Sequence, residues 1–375
     1  MFSLINKKTV FLKIDPLHPE IKKVKVAAEL IKSGEIVVFP TETVYGIGAN
    51  AFNDVACKKI FEAKSRPVDN PLIVHVSSFD QAKDIGHVPA EYEDALRKVW
   101  PSPLTIIVKV KAKLSNSVTA GLKTVSLRVP AHPVALSLIK ESGVPIAAPS
   151  ANPSKKPSAT NGLQAKRYFD GKVSCIIDSG DVFFGVESTI IDLTSFTLLR
   201  PGPFTVGEIE NLFGKKPRIT NVATGKSSTV HAISPGTKYR HYAPELPLFL
   251  FHNHISKLPF VLGEVEDPPD YVFIGCEESC ERISSELGCS TVPIGSGKDL
   301  FSVAKGLYNG LILIDSLNVK FAIIEEFDET GIGFAIMNRI RKASSNLVFS
   351  NIHGLEKLLK ANKLASYEEK PPSDN

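Results

Sequence analysis

The most constraining feature of this sequence is a short apolar strand that leads through a polar turn into a helix ending in two cations. The strand, residues 36–39, stops at a proline, and the turn at 41–45 carries two hydroxyls, a carboxylate and a phenol. A predicted helix from about Asp54 to Ala63 then presents Lys64 and Arg66. Because ligand crevices in α/β sheets open at the carboxyl ends of strands, this pattern predicts a phosphate pocket. The glycine-rich Walker loop is absent, so Lys64 and Arg66 are the predicted phosphate-binding groups.

The length and composition of the chain indicate a globular protein of two domains. Its 375 residues exceed one ordinary core, and its apolar content of 43% and charged content of 22% are those of a folded protein. A net charge of +4 is too mild for a concentrated basic surface, so stable nucleic-acid binding is not expected. No apolar run approaches the roughly 18 residues that span a bilayer. The N-terminus lacks a secretory core, so the predicted location is the cytoplasm.

The five cysteines favour reduced thiols over a disulfide framework, because their number is odd and no Cys-x-x-Cys pair occurs. A metal site built from Cys276, Cys280 and Cys289 with His252 or His254 is an alternative interpretation. That spacing matches no zinc pattern, so buried core residues are favoured and no metal ligand is assigned.

Helices alternate with buried strands through residue 213, which predicts an α/β domain with a mixed, twisted sheet and flanking helices. Predicted strands lie at 35–39, 72–76, 104–110, 125–129, 146–148, 174–177 and 189–193. Predicted helices lie at 20–32, 54–63, 133–142, 162–169 and 206–213. The first unit is therefore predicted to span residues 1–213.

Periodicity is lost over residues 214–246 and returns in a second unit at 247–375. The stretch at 234–244, Ser-Pro-Gly-Thr-Lys-Tyr-Arg-His-Tyr-Ala-Pro, is rich in aromatic and cationic groups, which favours an ordered interdomain lid over a disordered linker. Beyond it, short strands alternate with helices and predict a smaller, Rossmann-like parallel-sheet domain. Its Gly295-Ser296-Gly297 is weak evidence for nucleotide binding.

Further polar groups follow other predicted strands. Ser150 and Asn152 lie between prolines after one strand, Arg200 ends another, and Asn70 precedes a strand that ends at His75. Taken singly, such groups are more typical of structural turns, core histidines or, for the cations at 64 and 66, a solvated helix end. Their repetition at strand ends favours a binding site.

Arg128 lies inside a predicted buried strand, where an unpaired charge is unusual and a substrate carboxylate is a natural partner. No Ser-His-Asp or Cys-His arrangement, glycosidase carboxylate pair or His-x-x-x-His site emerges. Cations, hydroxyls and amides without an obvious nucleophile suit a nucleotide-activating enzyme that works by positioning and charge neutralisation.

Together these stretches resemble the threonylcarbamoyl-AMP synthase family, in its long two-domain type with a YrdC-like catalytic domain. The matching stretches are Phe-Pro-Thr-Glu-Thr-Val-Tyr-Gly at 39–46, Lys-Ser-Arg-Pro at 64–67, Asn-Pro-Leu-Ile-Val-His at 70–75, Trp-Pro-Ser-Pro-Leu-Thr at 100–105, Ala-Pro-Ser-Ala-Asn at 148–152, Val-Glu-Ser-Thr-Ile at 186–190, Leu-Arg-Pro-Gly at 199–202 and the linker at 234–244. Two departures are Thr237, where the family pattern has methionine, and Ser102, where it has glycine.

The resemblance implies a reaction in which L-threonine, bicarbonate or CO2, and ATP give threonylcarbamoyl-AMP and pyrophosphate. The product would pass to the tRNA threonylcarbamoyl transferase machinery, which modifies adenosine 37. It also implies that Mg²⁺ accompanies the triphosphate, with no protein ligand assigned. The implied threonine-binding residues are Thr43, His75, Arg128, Ala148 (through its backbone) and Ser188. The implied ATP-binding residues are Arg66, Asn70, Ser150, Asn152, Ser158, Arg200 and, in the linker, His241, with Lys64 and Arg66 acting catalytically on the phosphates.

Two other functions are alternatives to this one. A carbamoyltransferase of the hydrogenase-maturation type uses a similar domain, but its cysteine-rich zinc fingers are missing here. An RNA-binding module with a cationic concave surface is disfavoured by the weak net charge and by the absence of interleaved aromatic residues.

Overall fold

The computed structural model describes residues 8–226, 242–265 and 270–364, which form two α/β units. The strands of the first unit are β1 Val10–Lys13, β2 Val37–Phe39, β3 Gly46–Asn50, β4 Ile73–His75, β5 Gly86–His87, β6 Leu104–Val110, β7 Thr124–Arg128, β8 Ile146–Ala148, β9 Cys175–Asp178, β10 Thr189–Asp192, β11 Thr197–Arg200 and β12 Arg218–Ile219. They form a sheet in the order β1-β9-β2-β3-β8-β4-β7-β6-β10-β11-β12, with β5 paired to β6. The neighbours β2–β3 and β3–β8 are antiparallel, whereas β4–β7 and β6–β10 are parallel, so the sheet is mixed.

The helices of this unit are α1 Ile21–Lys32, α2 Asp54–Lys64, α3 Phe79–Ile85, α4 Ala90–Val99, α5 Asn116–Thr119, α6 Pro133–Ser142, α7 Gly162–Phe169 and α8 Val206–Phe213. Local sequence signals explain several of their ends. The side chains of Asn53, Asn161 and Thr205 accept hydrogen bonds from free backbone N–H groups at three helix starts. Gly143 and Gly214 take a left-handed conformation where α6 and α8 end.

The second unit is a smaller sheet whose strands are all parallel. Its strands are β13 Leu248–Phe251, β14 Tyr271–Gly275, β15 Ser290–Pro293, β16 Phe321–Glu325 and β17 Val348–Phe349, in the order β15-β14-β16-β13-β17. Its helices are α9 Leu258–Gly263, preceded by a 3-10 turn at Ile255–Lys257, α10 Glu277–Leu287, α11 Leu300–Ile314, α12 Gly333–Ala343 and α13 Ile352–Ala361. Separate apolar clusters on its two faces account for the continuous apolar character of these strands.

The predicted fold, a mixed α/β sheet followed by a smaller Rossmann-like parallel sheet, is confirmed. Several elements were not predicted, and β3 shows why. It reads Gly-Ile-Gly-Ala-Asn, which has weak β propensity, yet it is paired on both sides. A Cβ at Gly48 would lie 2.6 Å from a methyl of Ile146 and 2.7 Å from the ring of Phe39, so close packing selects glycine in this strand.

The two units pack against each other near the polar turn that follows β2. Val44 and Val186 of the first unit belong to the same apolar cluster as Ala304 and Tyr308 of α11. A Cβ at Gly185, which has φ of +77°, would lie 2.4 Å from the backbone of α11, so only glycine permits this approach.

The first sheet continues beyond residue 213, because β12 pairs with β11. The boundaries at 213 and 246 stay predictions. Among the described residues, none of the helices has the length and apolar character needed to cross a bilayer.

Candidate active site

A single polar pocket gathers most of the side chains that the sequence predicts to act on substrates. This pocket, a space of about 760 Å³ when the adjoining solvent is included, lies at the ends of β2, β4, β7, β8 and β11. The predicted residues that line it are Thr43, Lys64, Arg66, Asn70, His75, Arg128, Ala148, Ser150, Asn152, Ser188 and Arg200. Residues that the sequence did not single out as ligands also line it, among them Thr41, Tyr45, Ser154, Lys155, Glu187 and Tyr242.

The end of α2 directs Lys64 into the protein. Ser65 takes a left-handed conformation with φ of 50°, which ends the helix directly after Lys64. The Nζ of Lys64 donates to the backbone oxygens of Ser150 and Asn152, each at 2.5 Å, and the residue is 2% exposed. Burial and the nearby Arg66 hold the pKa of the Lys64 ammonium well below its usual range. Lys64 therefore ties α2 to the turn after β8 while remaining at the pocket wall.

Arg66 leaves the helix end in another direction and is half-buried. Its Nη2 donates to the backbone oxygen of Asn70 at 3.2 Å and to that of Pro71 at 3.4 Å. Its guanidinium also lies 5.8 Å from the ring centre of Phe61 on α2. These contacts place a permanently charged group at the pocket edge.

The turn after β8 is held by its own side chains. The Ser150 hydroxyl donates to Oδ1 of Asn152 at 2.6 Å, and Nδ2 of Asn152 donates to the backbone oxygens of Pro153 and Lys156 at 3.0 and 2.7 Å. Ala148 is the last residue of β8, so its backbone borders the same pocket. This network presents a hydroxyl and an amide with little conformational freedom left to lose on binding.

Arg128 at the end of β7 is almost fully buried and lies against the polar turn that follows β2. Its Nη2 lies 2.6 Å from Oε1 of Glu42, and its Nη1 donates to the Thr43 hydroxyl at 3.0 Å. The sequence pointed to a substrate carboxylate as a natural partner, but the structure supplies Glu42 from the protein. With Nε donating to the backbone oxygen of Ser102 at 3.4 Å, these contacts use three of the five N–H groups of the guanidinium, so Arg128 keeps donors for a ligand.

Ser188 and Arg200 form a second buried group across the sheet. The Nε and Nη2 of Arg200 donate to the backbone oxygen and the hydroxyl of Ser188 at 2.9 and 3.0 Å. The Ser188 hydroxyl also lies 2.8 Å from that of Thr105 on β6. Both predicted residues are therefore fixed at the pocket wall.

Two predicted ATP-binding residues differ from this group. Ser158 does not line the pocket: it is 0% exposed, and its hydroxyl donates to Oε1 of Glu187 at 2.6 Å. Ser158 therefore lies behind Glu187, which lines the pocket. His241 lies outside the described residues. Tyr242, next along the chain, lines the pocket and stacks on Tyr308 with ring centres 5.3 Å apart.

His75 ends β4 beside Arg128 and is buried, with its ring edge-on to Phe39 at 6.1 Å. Burial, together with the charge of Arg128, lowers the pKa of His75 to about 3. The imidazole is therefore neutral at physiological pH and takes part as a hydrogen-bonding group, since its Nδ1 has no partner within the described residues.

We expect this buried histidine to make the protein acid-sensitive. Because the pKa of His75 is about 3 when folded and about 6.5 when unfolded, the unfolded chain binds the additional proton, and stability falls as pH decreases through this window. Denaturant unfolding between pH 6 and pH 4.5 measures this effect. In the wild type, the free energy of unfolding should fall more steeply as pH decreases than in His75→Asn, by about 1.4 kcal/mol per pH unit. Equal slopes for the two proteins would contradict the neutral, buried assignment.

The described residues contain no group of three or more His, Cys, Asp or Glu side chains that could hold a metal ion. The carboxylates nearest the pocket, Glu42 and Glu187, are paired with Arg128 and Arg339. Cys276 and Cys280 are buried in the second unit, as the core interpretation expects. Mg²⁺ that accompanies ATP, with no protein ligand assigned, stays a prediction.

Known protein families match both units of the chain. Residues 29–202 match the family described as Telomere recombination (Sua5_yciO_yrdC), and residues 204–345 match the family described as Threonylcarbamoyl-AMP synthase, C-terminal domain. The threonylcarbamoyl-AMP synthase of Pyrococcus abyssi is 43% identical over 336 residues, covering 86% of this chain and 94% of that protein. The enzyme of the same name from Bacillus subtilis is 42% identical over 340 residues, covering 89% and 96%.

A solved structure shows the same arrangement of both units. The crystal structure of P. abyssi Sua5 complexed with L-threonine superposes with a TM-score of 0.84 at 38% identity, covering 91% of this chain and 99% of that one. Identity of this extent over nearly the whole length of two curated enzymes, with matches to both family domains, shows that the chain belongs to the threonylcarbamoyl-AMP synthase family.

Proposed function

We propose that the central pocket is where this chain, a nucleotidyltransferase of the threonylcarbamoyl-AMP synthase family involved in tRNA modification, joins L-threonine, bicarbonate or CO2, and ATP. The observation that carries the proposal is the convergence of Lys64, Arg66, Arg128 and Arg200 on one cavity that also holds hydroxyls and amides. Four cations around a single cavity suit substrates that together carry a carboxylate, a carbamate and a triphosphate.

The threonine end of the pocket lies at the turn after β2. Thr43, Arg128 and His75 are adjacent there, and Arg128 retains a hydrogen-bond donor for a carboxylate. The backbone of Ala148, at the end of β8, and the hydroxyl of Ser188, just before β10, complete the proposed threonine contacts. A neutral His75 suits this role, because it leaves Arg128 as the charge that the threonine carboxylate would meet.

The ATP end lies at the end of α2 and the turn after β8. There Arg66, Asn70, Ser150 and Asn152 are proposed to contact the nucleotide, with Lys64 beside the phosphates. Arg200, which lines the same cavity from the end of β11, is proposed as a further ATP contact. Ser158 would act through Glu187 instead of touching ATP. The proposal that the linker with His241 covers the nucleotide is supported by Tyr242, which continues that segment into the pocket wall.

The chemistry follows from holding the substrates together. The threonine amine attacks CO2 to form a C–N bond and loses a proton to water, which gives a carbamate. A carbamate oxygen then attacks the α-phosphorus of ATP, a new P–O bond forms, and the bond to the β-phosphate breaks to release pyrophosphate. Neither step needs a protein nucleophile. Fixed cations in a largely buried pocket neutralise the charge that gathers at the α-phosphate, without reorganisation of solvent. Mg²⁺ that enters with ATP would neutralise further phosphate charge.

We further propose that the adenylate is handed to a tRNA-modifying transferase and that the enzyme acts in the cytoplasm. A mixed anhydride of a carbamate and a phosphate is labile in water, so a downstream acceptor must consume it quickly.

Pyrophosphate release is the direct test of the reaction. We expect release only when L-threonine, bicarbonate and ATP are all present, with threonylcarbamoyl-AMP detected by mass spectrometry. Release without threonine, or no ATP consumption in the full mixture, would overturn the proposal. Turnover of carbamoyl phosphate would favour the carbamoyltransferase alternative, and tight RNA retention on a filter without ATP chemistry would favour the RNA-binding one.

A further inference from the structure

A buried carboxylate lies among the cations of the proposed ATP site. Glu187 lines the pocket directly before Ser188, and it is 4% exposed. Its charge acts on Arg200 and on Lys64, because all three side chains are buried in the same region. An anion in this place opposes the binding of a triphosphate unless something else neutralises it.

The neutralising group comes from the second unit. Arg339, on α12, is 0% exposed and donates from Nε to Oε2 of Glu187 at 2.9 Å. Its Nη1 donates to the backbone oxygen of Pro201 at 2.7 Å, and its Nη2 to the backbone oxygen of Glu187 at 3.3 Å. The guanidinium thus contacts both the turn that carries Ser188 and the end of the strand that carries Arg200.

Two tyrosines complete the surroundings of this ion pair. The Tyr308 hydroxyl, from α11, donates to Oε2 of Glu187 at 2.8 Å, and the ring of Tyr242 lies 5.6 Å from the Arg339 guanidinium. Arg339, Tyr308 and Tyr242 thus all come from residues beyond 241, outside the first unit. Oε2 of Glu187 is therefore held by the second unit, through Tyr308 and Arg339, while Oε1 accepts from Ser158 of the first unit.

The ionisation of Glu187 agrees with this picture. Burial by itself would raise the pKa of Glu187, but the charges of Arg339 and Arg200, with hydrogen bonds from Ser158 and Tyr308, lower it to about 2. The carboxylate is therefore ionised at neutral pH, and of the charges that lower its pKa, that of Arg339 has the largest effect. Burial by itself would lower the pKa of Arg339, but the charge of Glu187 and the neighbouring tyrosines together outweigh burial and raise it, so Arg339 stays positively charged.

We propose that Arg339 is a positioning residue for ATP: it acts as the counter-ion of Glu187, so that Arg200 and Lys64 stay available to the triphosphate. The second domain then completes the electrostatics of a site whose substrate-contacting residues all lie in the first unit or the segment that joins the two. This inference rests on the proposed function, because it assigns the pocket to ATP.

The test is a set of variants at the ion pair, assayed at pH 8. Arg339→Met keeps the length of the side chain and removes its charge. We expect KM for ATP, and the dissociation constant of a non-hydrolysable ATP analogue measured by calorimetry, to rise by roughly 10- to 100-fold. KM for threonine should change by less than about 3-fold. Arg339→Lys, which keeps the charge, should restore most of the affinity.

Removing the Glu187 carboxylate as well shows whether Arg339 acts as its counter-ion or has a purely structural role. Arg339→Met/Glu187→Gln has no buried charge left to compensate, so it should bind the analogue within a few-fold of Glu187→Gln alone. This double variant still tests the proposal if Arg339→Met by itself fails to fold. The proposal would be overturned if Arg339→Met and Arg339→Met/Glu187→Gln lost the same ATP affinity. It would also be overturned if Arg339→Met lowered kcat and left the ATP affinity unchanged.

Arg341 provides a matched control on the same helix. It also bridges the two units, donating to the backbone oxygen of Thr224 at 3.1 Å, but its carboxylate partner is Glu329 instead of Glu187. Arg341→Met should therefore keep the ATP affinity of the wild type.

A wild-type protein that binds the analogue but releases no pyrophosphate would overturn the proposed reaction, and the inference would then be judged from the binding series alone.

Discussion

Lys64→Met is expected to lower kcat/KM for ATP by roughly 30- to 1,000-fold, which corresponds to about 2–4 kcal/mol of transition-state stabilisation. The structure gives two reasons for so large a loss. The ammonium lies at the pocket wall where the phosphates are proposed to bind, and it holds the turn after β8 through the backbone oxygens of Ser150 and Asn152. Removing it takes away a charge and releases the turn that presents the nucleotide ligands.

The two contributions can be separated by comparing Lys64→Met with Lys64→Arg and Arg66→Ala. Lys64→Arg keeps the charge, so we expect it to retain more activity than Lys64→Met, whereas Arg66→Ala removes a charge without releasing the turn. Arg66→Ala should fall within the same roughly 30- to 1,000-fold range. Pyrophosphate release with ATP varied at saturating threonine is the measurement.

Lys58 on the same helix is the matched control for Lys64. Its side chain is 57% exposed and pairs with Asp54 at 2.8 Å, so Lys58→Met should change neither activity nor stability by more than about 1 kcal/mol. Wild-type turnover in both Lys64→Met and Arg66→Ala would refute the phosphate role of these cations.

Arg128→Met is expected to destabilise the protein by about 3–5 kcal/mol and to abolish measurable saturation by threonine. The residue is 3% exposed, and its loss leaves the carboxylate of Glu42 buried without a counter-ion. Denaturant unfolding at pH 7 measures the first effect, and pyrophosphate release with threonine varied measures the second.

Arg128→Met/Glu42→Gln separates folding from binding. With no uncompensated carboxylate, the double variant should recover most of the lost stability. It should not recover threonine binding, because the donor proposed for the substrate carboxylate is still missing. A double variant that uses threonine as the wild type does would show that Arg128 serves only to compensate Glu42.

Local sequence patterns were sufficient to predict most of the regular structure. Apolar runs such as residues 104–110 and 146–148 are strands within the bounds expected from the sequence, and α6, α7 and α8 have the bounds predicted for them. Strand β3 was missed, since its glycines are selected by the packing of Ile146 and Phe39 and not by any local preference for extended structure. Such a strand is visible only when its neighbours are in place.

In the candidate site, too, some features were predictable from the sequence and others only from the tertiary structure. Polar turns at strand ends pointed to Ser150, Asn152 and Arg200, and the fold brings them to one cavity. The partner of Arg128 and the position of Ser158 behind Glu187 could not be read from spacing, because each depends on contacts between residues at least 29 positions apart.

The sequence by itself determined the α/β character of both units, the family, and the set of polar side chains at the ends of the strands. These follow from periodicity and from short ordered motifs, which are local properties. Only the tertiary structure decided which charges are paired and which face the pocket. Arg339 lies 152 positions from Glu187, and the two meet because α12 packs against the turn before β10. Burial then determines the charge and role of each group, since a cation excluded from water acts on whichever anion the fold places beside it.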